Sequence, residues 1–395
     1  YINQLGVYNV FRGNKGRKLI AKLFRRSRYY GKVEKILIVI SSFGSGGAEQ
    51  VVSNLATAWC KAGKKVTIFT TFLHEDKNQD FFPLPASVQR VRLADHCQIR
   101  TRGLADNLRR MLIFRSISLS LKPDVVVSFM DHINILTLIS LFGTRFPVIV
   151  NETGDPFHQP IGQVVGWLRP KVYQRASVIT ALTSLIARRM EHEWKLPKVH
   201  VLPNSLPDNI PELLPWERRE KIILSVGRMS WEKGQDVLLK AWAKICWDFP
   251  DWKLKFVGDG PEWMNLENYI RSAGLEESVD LLGKKYPVWP FYQRARIFML
   301  PSRYEAFGNV LIEAMAMGCP CISTNCSGPQ TIITHEVDGL LVAPEKPEEI
   351  ANALVRLMKD ESLCLRLSEN GIFARDRYSY KRNVEHWEKV FQLIN

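Results

Sequence analysis

From Lys35 onward, short runs of apolar and β-branched residues alternate with longer amphipathic stretches. Ile36–Ile40, Val66–Thr70, Val125–Phe129, Val148–Val150 and Val178–Ala181 are continuous rather than alternating, the pattern of strands covered on both faces of a parallel sheet. Glu49–Lys61 and Leu104–Leu121 lie between them with helical periodicity. The pattern predicts an α/β domain over residues 33–200. Pro203, Pro207, Pro211 and Pro215 then interrupt it, and residues 203–216 read as a linker. The alternation restarts with a strand at Ile222–Val226, a helix at Gln235–Trp247 and a strand at Leu254–Val257, and continues to Leu340–Val342, predicting a second α/β domain over 217–378. Val384, Trp387, Val390 and Phe391 share one face of a last helix in 379–395. Two such domains imply a cleft, with ligands at the carboxyl ends of the strands.

Composition changes this picture little, and charge changes it at one end. The 395 residues, 46% hydrophobic and 24% charged, are enough for two packed cores and exclude a disordered, collagenous or disulfide-scaffold chain. Of the net charge of +14, residues 1–35 carry +9, from ten Lys/Arg against Glu34, so the rest is only mildly basic. Within residues 1–32, Leu19, Ile20, Leu23 and Phe24 fall on one helical face amid Lys18, Lys22, Arg25, Arg26 and Arg28. Such a segment suits an anionic membrane surface, or else is a solvated leader. The near-balanced body is a poor match for nucleic acid. No apolar stretch is long enough to span a bilayer, and the first segment lacks the uninterrupted apolar core of a secretory signal. Seven cysteines make no Cys-x-x-Cys pair, and Cys319, Cys321 and Cys326 lack zinc-spaced partners, so reduced thiols and the cytosol are expected.

Three loops carry candidate chemistry. Ser42–Glu49 (SFGSGGAE) follows the first strand and opens a helix, so that Gly46 and Gly47 would let the backbone approach a ligand beside free N–H groups. Taken alone it also suits a tight turn with no ligand. Gly227–Gly234 (GRMSWEKG) sends out Arg228 and Lys233, a guanidinium and an ammonium suited to clamping a diphosphate. Pro301–Ala314 (PSRYEAFGNVLIEA) puts Gly308, Asn309 and Val310 at a helix start, Glu305 in the loop before, and Glu313 one turn past Asn309 on the same face. Two carboxylates flanking an anion-binding helix end can hold sugar and ribose hydroxyls.

With VGRMSWEKG (226–234), FVGDGP (256–261), PSRYEAFGNVLIEAMAMGCPCI (301–322), VDGLLV (337–342) and SFGSGGAE in this order, the chain resembles glycosyltransferase family 4 from about residue 33 onward. The resemblance implies the GT-B fold, α/β with two facing Rossmann-like domains across a deep cleft. It implies that Arg228 and Lys233 grip the diphosphate of a nucleotide sugar. Glu313 would take the ribose hydroxyls, Asn309 and Val310 amides the phosphate oxygens, and Glu305 the transferred sugar. Phe307 and Gly308 belong to the same donor loop, Lys285 would lie beside the base, and Gly46 and Gly47 would close from the other domain. The family retains anomeric configuration, the leaving phosphate helping to take the acceptor proton.

The chain has no Asp-x-Asp, and an Arg/Lys pair with a helix start can neutralise the departing diphosphate without metal, so neither metal nor cofactor is expected. Family members often carry a His after the strand ending here at Val150, where this chain has Thr153, with His132 and His158 nearby. Asp131 and Glu152, at strand ends, are the acceptor-side candidates. SGGAE with SFMDHIN (128–134) is similar to the branch that extends lipid-linked glycans. The expected reaction is transfer of a hexose or N-acetylhexosamine from a UDP-sugar to a glycan acceptor, carried on a polyprenyl diphosphate, by an enzyme peripheral on a cytoplasmic membrane face. The rivals are a nucleotide-sugar epimerase of the same fold and a non-catalytic membrane- or polyanion-binding protein.

Overall fold

The computed structural model describes residues 31–44, 46–71, 81–96, 104–158 and 162–394. The amphipathic stretch at Leu19–Phe24, and Ser45 of the glycine loop, lie outside the described residues. The first sheet contains β1 (Lys35–Ile40), β2 (Lys65–Thr70), β3 (Gln89–Arg92), β4 (Val125–Phe129), β5 (Val148–Glu152), β6 (Val178–Ala181) and β7 (Val199–Val201), in the order β3-β2-β1-β4-β5-β6-β7. The second contains β8 (Glu220–Val226), β9 (Lys253–Val257), β10 (Val279–Leu281), β11 (Ala295–Leu300), β12 (Cys321–Thr324) and β13 (Leu340–Val342), in the order β10-β9-β8-β11-β12-β13. Every neighbouring pair in both is parallel. The apolar runs are strands because both faces are covered. Ile36, Ile38 and Ile40 pack under one helical layer, Leu37 and Val39 under the other.

The elements depart from the periodicity where polar residues carry the pairing. β5 runs two residues past Val150, because Asn151 and Glu152 still pair with Thr180 and Ala181. The edge strand β3, Gln-Arg-Val-Arg, has no apolar run to reveal it. The helix expected over Gln235–Trp247 stops at Ala243, and a short turn at Cys246–Asp248 leads to Phe249-Pro250, where a helix cannot continue. Helix Tyr380–Gln392 packs back on the first sheet. Its Trp387 meets Trp59 of helix Gly47–Lys61 edge-on at 5.3 Å, and Lys64 pairs with Glu388 at 3.1 Å.

The topology places the site. Strand order reverses between β1 and β4 and between β8 and β11, and each reversal opens a crevice at the strands' carboxyl ends. The glycine loop leaves β1, Met130-Asp131 leaves β4, loop 227–234 leaves β8 and loop 301–308 leaves β11. The three motif loops and Asp131 therefore leave the four strands that flank the two switch points.

Candidate active site

The cationic loop is locked against the donor loop by short contacts. At Gly234 the backbone is left-handed (φ 66°), and a Cβ there would collide with the Pro301 carbonyl, so glycine allows the two loops to touch. Lys233 next to it forms an ion pair with Glu305, Nζ to Oε2 2.5 Å. Burial works against the ammonium, but the Glu305 carboxylate outweighs it and raises the Lys233 pKa above its ordinary value. Arg303 fastens the pair from behind. It holds Asp236 with two hydrogen bonds, 2.8 and 2.9 Å, donates to the Trp231 carbonyl at 2.6 Å and lies over the Trp231 ring. Arg228 is exposed at the rim, its carbonyl held by Gln235 Nε2 at 3.0 Å.

Helix Asn309–Ala316 starts at Gly308, in left-handed backbone (φ 102°), directly after the buried Phe307. Its first amides, those of Asn309 and Val310 included, have no partner within the helix. Glu313, one turn in, is only 5% exposed. Tyr292 donates its hydroxyl to Oε2 at 2.9 Å, and Gln50 of the first domain donates to Oε1 at 3.2 Å. Burial pushes the Glu313 carboxyl up to about 7 despite these hydrogen bonds. Asn309 bridges the cleft as well: its Oδ1 accepts from Asn204 at 2.9 Å, and its Nδ2 reaches the Gly47 carbonyl at 3.5 Å. Gly47 thus faces the start of this helix, while the adjoining Gly46 lies against the Glu49 side chain. Lys285 is exposed in the loop after β10, two strands away from β8, where its neighbour Tyr286 meets Phe81 and Phe82 of the first domain.

The acceptor-side candidates separate. Asp131 opens helix Asp131–Ser140 after Met130, a non-glycine residue at φ 75°, and accepts from the His132 amide at 2.6 Å. Burial opposes its charge, but hydrogen bonds from the His132 side chain and amide, together with the positive charge of Arg169, lower its pKa. Glu152, which the sequence reading offers to the acceptor, is fully buried and engaged elsewhere. It pairs with Arg169 and accepts the Tyr173 hydroxyl at 2.8 Å, while Asn134 donates to Tyr173 at 3.1 Å. A carboxylate so enclosed does not line the cleft surface. Thr153, in place of the family's His, follows directly in the loop.

The sequence did not single out Gln50, Asn204 or Tyr292. Gln50 follows the glycine loop directly, one turn past Gly47 and on the face that Gly47 presents, and that spacing was the available signal. Asn204 sits in the proline-rich linker, and nothing in the linker's composition marks it.

Comparisons with known proteins bear on the family and the fold. Residues 46–205 match the family described as Glycosyl transferase 4-like domain, and residues 208–372 that described as Glycosyl transferases group 1. An uncharacterized glycosyltransferase of Haemophilus influenzae is 27% identical over 368 residues, covering 91% of this chain and 100% of the relative. The GalNAc-alpha-(1->4)-GalNAc-alpha-(1->3)-diNAcBac-PP-undecaprenol alpha-1,4-N-acetyl-D-galactosaminyltransferase of Campylobacter jejuni is 26% identical over 365 residues, 91% of this chain and 99% of the relative. In fold, the chain is similar to Anabaena HepE solved with UDP and glucose, with a TM-score of 0.77 at 19% identity over 91% of this chain and 99% of that one.

Proposed function

The chain is a GT-B glycosyltransferase of the family 4 type, and we propose that it moves a hexose or N-acetylhexosamine from a UDP-sugar to a hydroxyl of a polyprenyl-diphosphate-linked glycan, with retention and without metal. The observation that carries this reading is the Lys233–Glu305 pair set at the start of helix Asn309–Ala316, with Glu313 one turn behind. In this reading Arg228, Lys233 and the first helix amides meet the diphosphate, where negative charge grows as the leaving group departs. Glu305 holds the sugar hydroxyls, Glu313 the ribose, and Lys285 lies beside the base. The acceptor oxygen bonds to the anomeric carbon on the face from which the diphosphate leaves, and its proton passes to the departing phosphate oxygen. Asp131, at the rim of the first domain, orients the acceptor. The nucleotide bound in HepE and the acceptor named for the Campylobacter relative support the choice of UDP and of a lipid-linked glycan.

The experiment is a thermal-shift panel of UDP, GDP, ADP and their sugars with EDTA present, followed by turnover with the selected donor. A ligand at about 100 times its Kd stabilises by roughly 2.7 kcal/mol, enough to move Tm by several degrees. UDP and one UDP-sugar are expected to shift Tm in EDTA. Donor turnover that requires added metal would refute the metal-free account.

A lipid-borne acceptor calls for a membrane-facing surface. No helix among the described residues is long and apolar enough to cross a bilayer. Helix Leu104–Leu121 exposes Leu108 and Leu112 beside Arg109, and helix Gln163–Tyr173 exposes Trp167 under the Lys171 ammonium. Both helices start on the side of the sheet where the strands' carboxyl ends and the cleft lie, and we take these exposed apolar and basic residues as the membrane-facing surface. The protein is expected to sediment with vesicles containing anionic lipid, and the Leu112→Glu/Trp167→Glu variant to sediment several-fold less. Equal sedimentation of the two would remove this surface from the account.

A further inference from the structure

One carboxylate of the first domain reaches across the cleft to the back of the donor loop. The loop after β5, residues 153–158, carries Asp155, which is 2% exposed despite its position at the cleft. Its Oδ1 accepts from the Phe157 amide at 3.0 Å. Its Oδ2 lies 2.9 Å from His158 Nδ1 and accepts the Ser327 hydroxyl of the second domain at 2.8 Å. Ser327 begins a turn whose next residue, Gly328, donates its amide to the Glu305 carbonyl at 2.8 Å. A Cβ on Gly328 would fall on the Phe307 backbone, so the turn lies flat against the segment that carries Glu305 and leads into helix Asn309–Ala316. The His158 ring stacks on Tyr304, with centroids 6.1 Å apart and planes within 16°. Phe157 anchors the loop from behind, 5.3 Å from the Trp194 ring and beneath Arg189.

We infer that Asp155 is a positioning residue for Glu305, acting through Ser327 and Gly328 when the two domains meet. Asp155 contacts neither the diphosphate cations nor Glu313. It fixes the main chain of the residue assigned to the transferred sugar, and it does so only from the other domain. Docking of the first domain would thereby complete the geometry at Glu305 and leave the nucleotide contacts unaltered. Displacements of about 1 Å in such a group cost on the order of a hundred-fold in rate. Closure that assembles a site in this way is a familiar gating step. The inference rests on the donor-site reading proposed above.

The test compares Ser327→Ala, Ser327→Thr and Asp155→Asn with the wild-type chain. UDP affinity is measured by calorimetry, and UDP release from the UDP-sugar chosen in the thermal-shift panel gives kcat and KM. Ser327→Ala is expected to lower kcat about ten-fold, with UDP affinity and donor KM within two-fold of wild type. Ser327→Thr, which keeps the hydroxyl, is expected to restore most of the rate, and Asp155→Asn to fall between. A purely structural contact would lower Tm and leave that split and the threonine rescue unseen. Wild-type kcat in Ser327→Ala, or a parallel loss of UDP affinity, overturns the positioning role. Failure of the wild-type chain to bind UDP overturns the donor-site reading instead, so the two failures are told apart.

Discussion

Lys233→Ala is expected to lower kcat by about a hundred- to a thousand-fold, the range found when one preorganised donor is removed from a developing anion. The ammonium has two partners in succession. In the structure it is paired with Glu305 at 2.5 Å, and in the proposed reaction it also meets the leaving diphosphate. Truncation therefore removes charge from the diphosphate and leaves the half-buried Glu305 without its cation. Lys233→Arg keeps the charge but replaces a compact ammonium by a planar fork in a slot sized by the Gly234–Pro301 contact. It is expected to recover only part of the loss. Arg228, exposed and free to follow the ligand, is expected to cost less when changed to alanine. The double variant should lose less than the product of the two single effects, because both cations serve one group. Rates measured under saturating donor decide the matter. A Lys233→Ala kcat within ten-fold of wild type would mean that the diphosphate is stabilised elsewhere.

Much of this arrangement is legible in the sequence because it is local. A short, β-branched apolar run such as Val125–Phe129, set between helical stretches, reads as a covered parallel strand, and each motif loop begins within a few residues of such a run. Arg228, Lys233 and Glu305 are thus placed in loops at strand ends, and Asn309 and Glu313 on the helix that follows, by period and spacing before any fold is seen. The polar edge strand β3 is not legible in this way, since its half-exposed residues have no buried face to mark it. Neither is the fate of Glu152. A carboxylate at a strand end points equally well to a cleft or to an internal cation, and the deciding partner, Arg169, lies on a helix with otherwise ordinary periodicity.

The cross-cleft contacts are illegible for a different reason. Gln50 to Glu313, Asn204 to Asn309 and Asp155 to Ser327 join residues more than a hundred positions apart. Each is a polar residue on a loop or a helix edge whose partner is decided by how two separate sheets face one another. The family resemblance suggests the donor-loop residues and, from the first domain, Gly46 and Gly47, but not the side chains of Gln50, Asn204 and Asp155 that cross the cleft.

Glu313 carries the second large effect, and there function and stability pull in opposite directions. Its carboxyl is buried and pushed up to about 7, against an ordinary value of 4.5. The folded protein therefore holds this proton more tightly than the unfolded chain. Stability from this group is fully present below about pH 4.5 and is lost as pH rises toward 7, because the folded state must then ionise a buried group or keep its proton against the solution. The difference of about 2.5 units corresponds to roughly 3 kcal/mol above pH 7. Glu313→Gln removes the titration while keeping a side chain that Tyr292 and Gln50 can engage. Its Tm is expected to exceed that of the wild type by several degrees at pH 8, with the gap closing near pH 5. The same change removes the charged acceptor proposed for the ribose hydroxyls. A hydrogen bond to a charged group contributes about 1.5–3 kcal/mol, so donor KM is expected to rise about ten- to a hundred-fold. Melting curves at the two pH values test the first half, and donor titrations at pH 8 the second. A variant that is more stable but binds donor normally would leave Glu313 as a buried charge that the fold merely tolerates. One that loses donor with no gain in stability would mean that Tyr292 and Gln50 already compensate its charge.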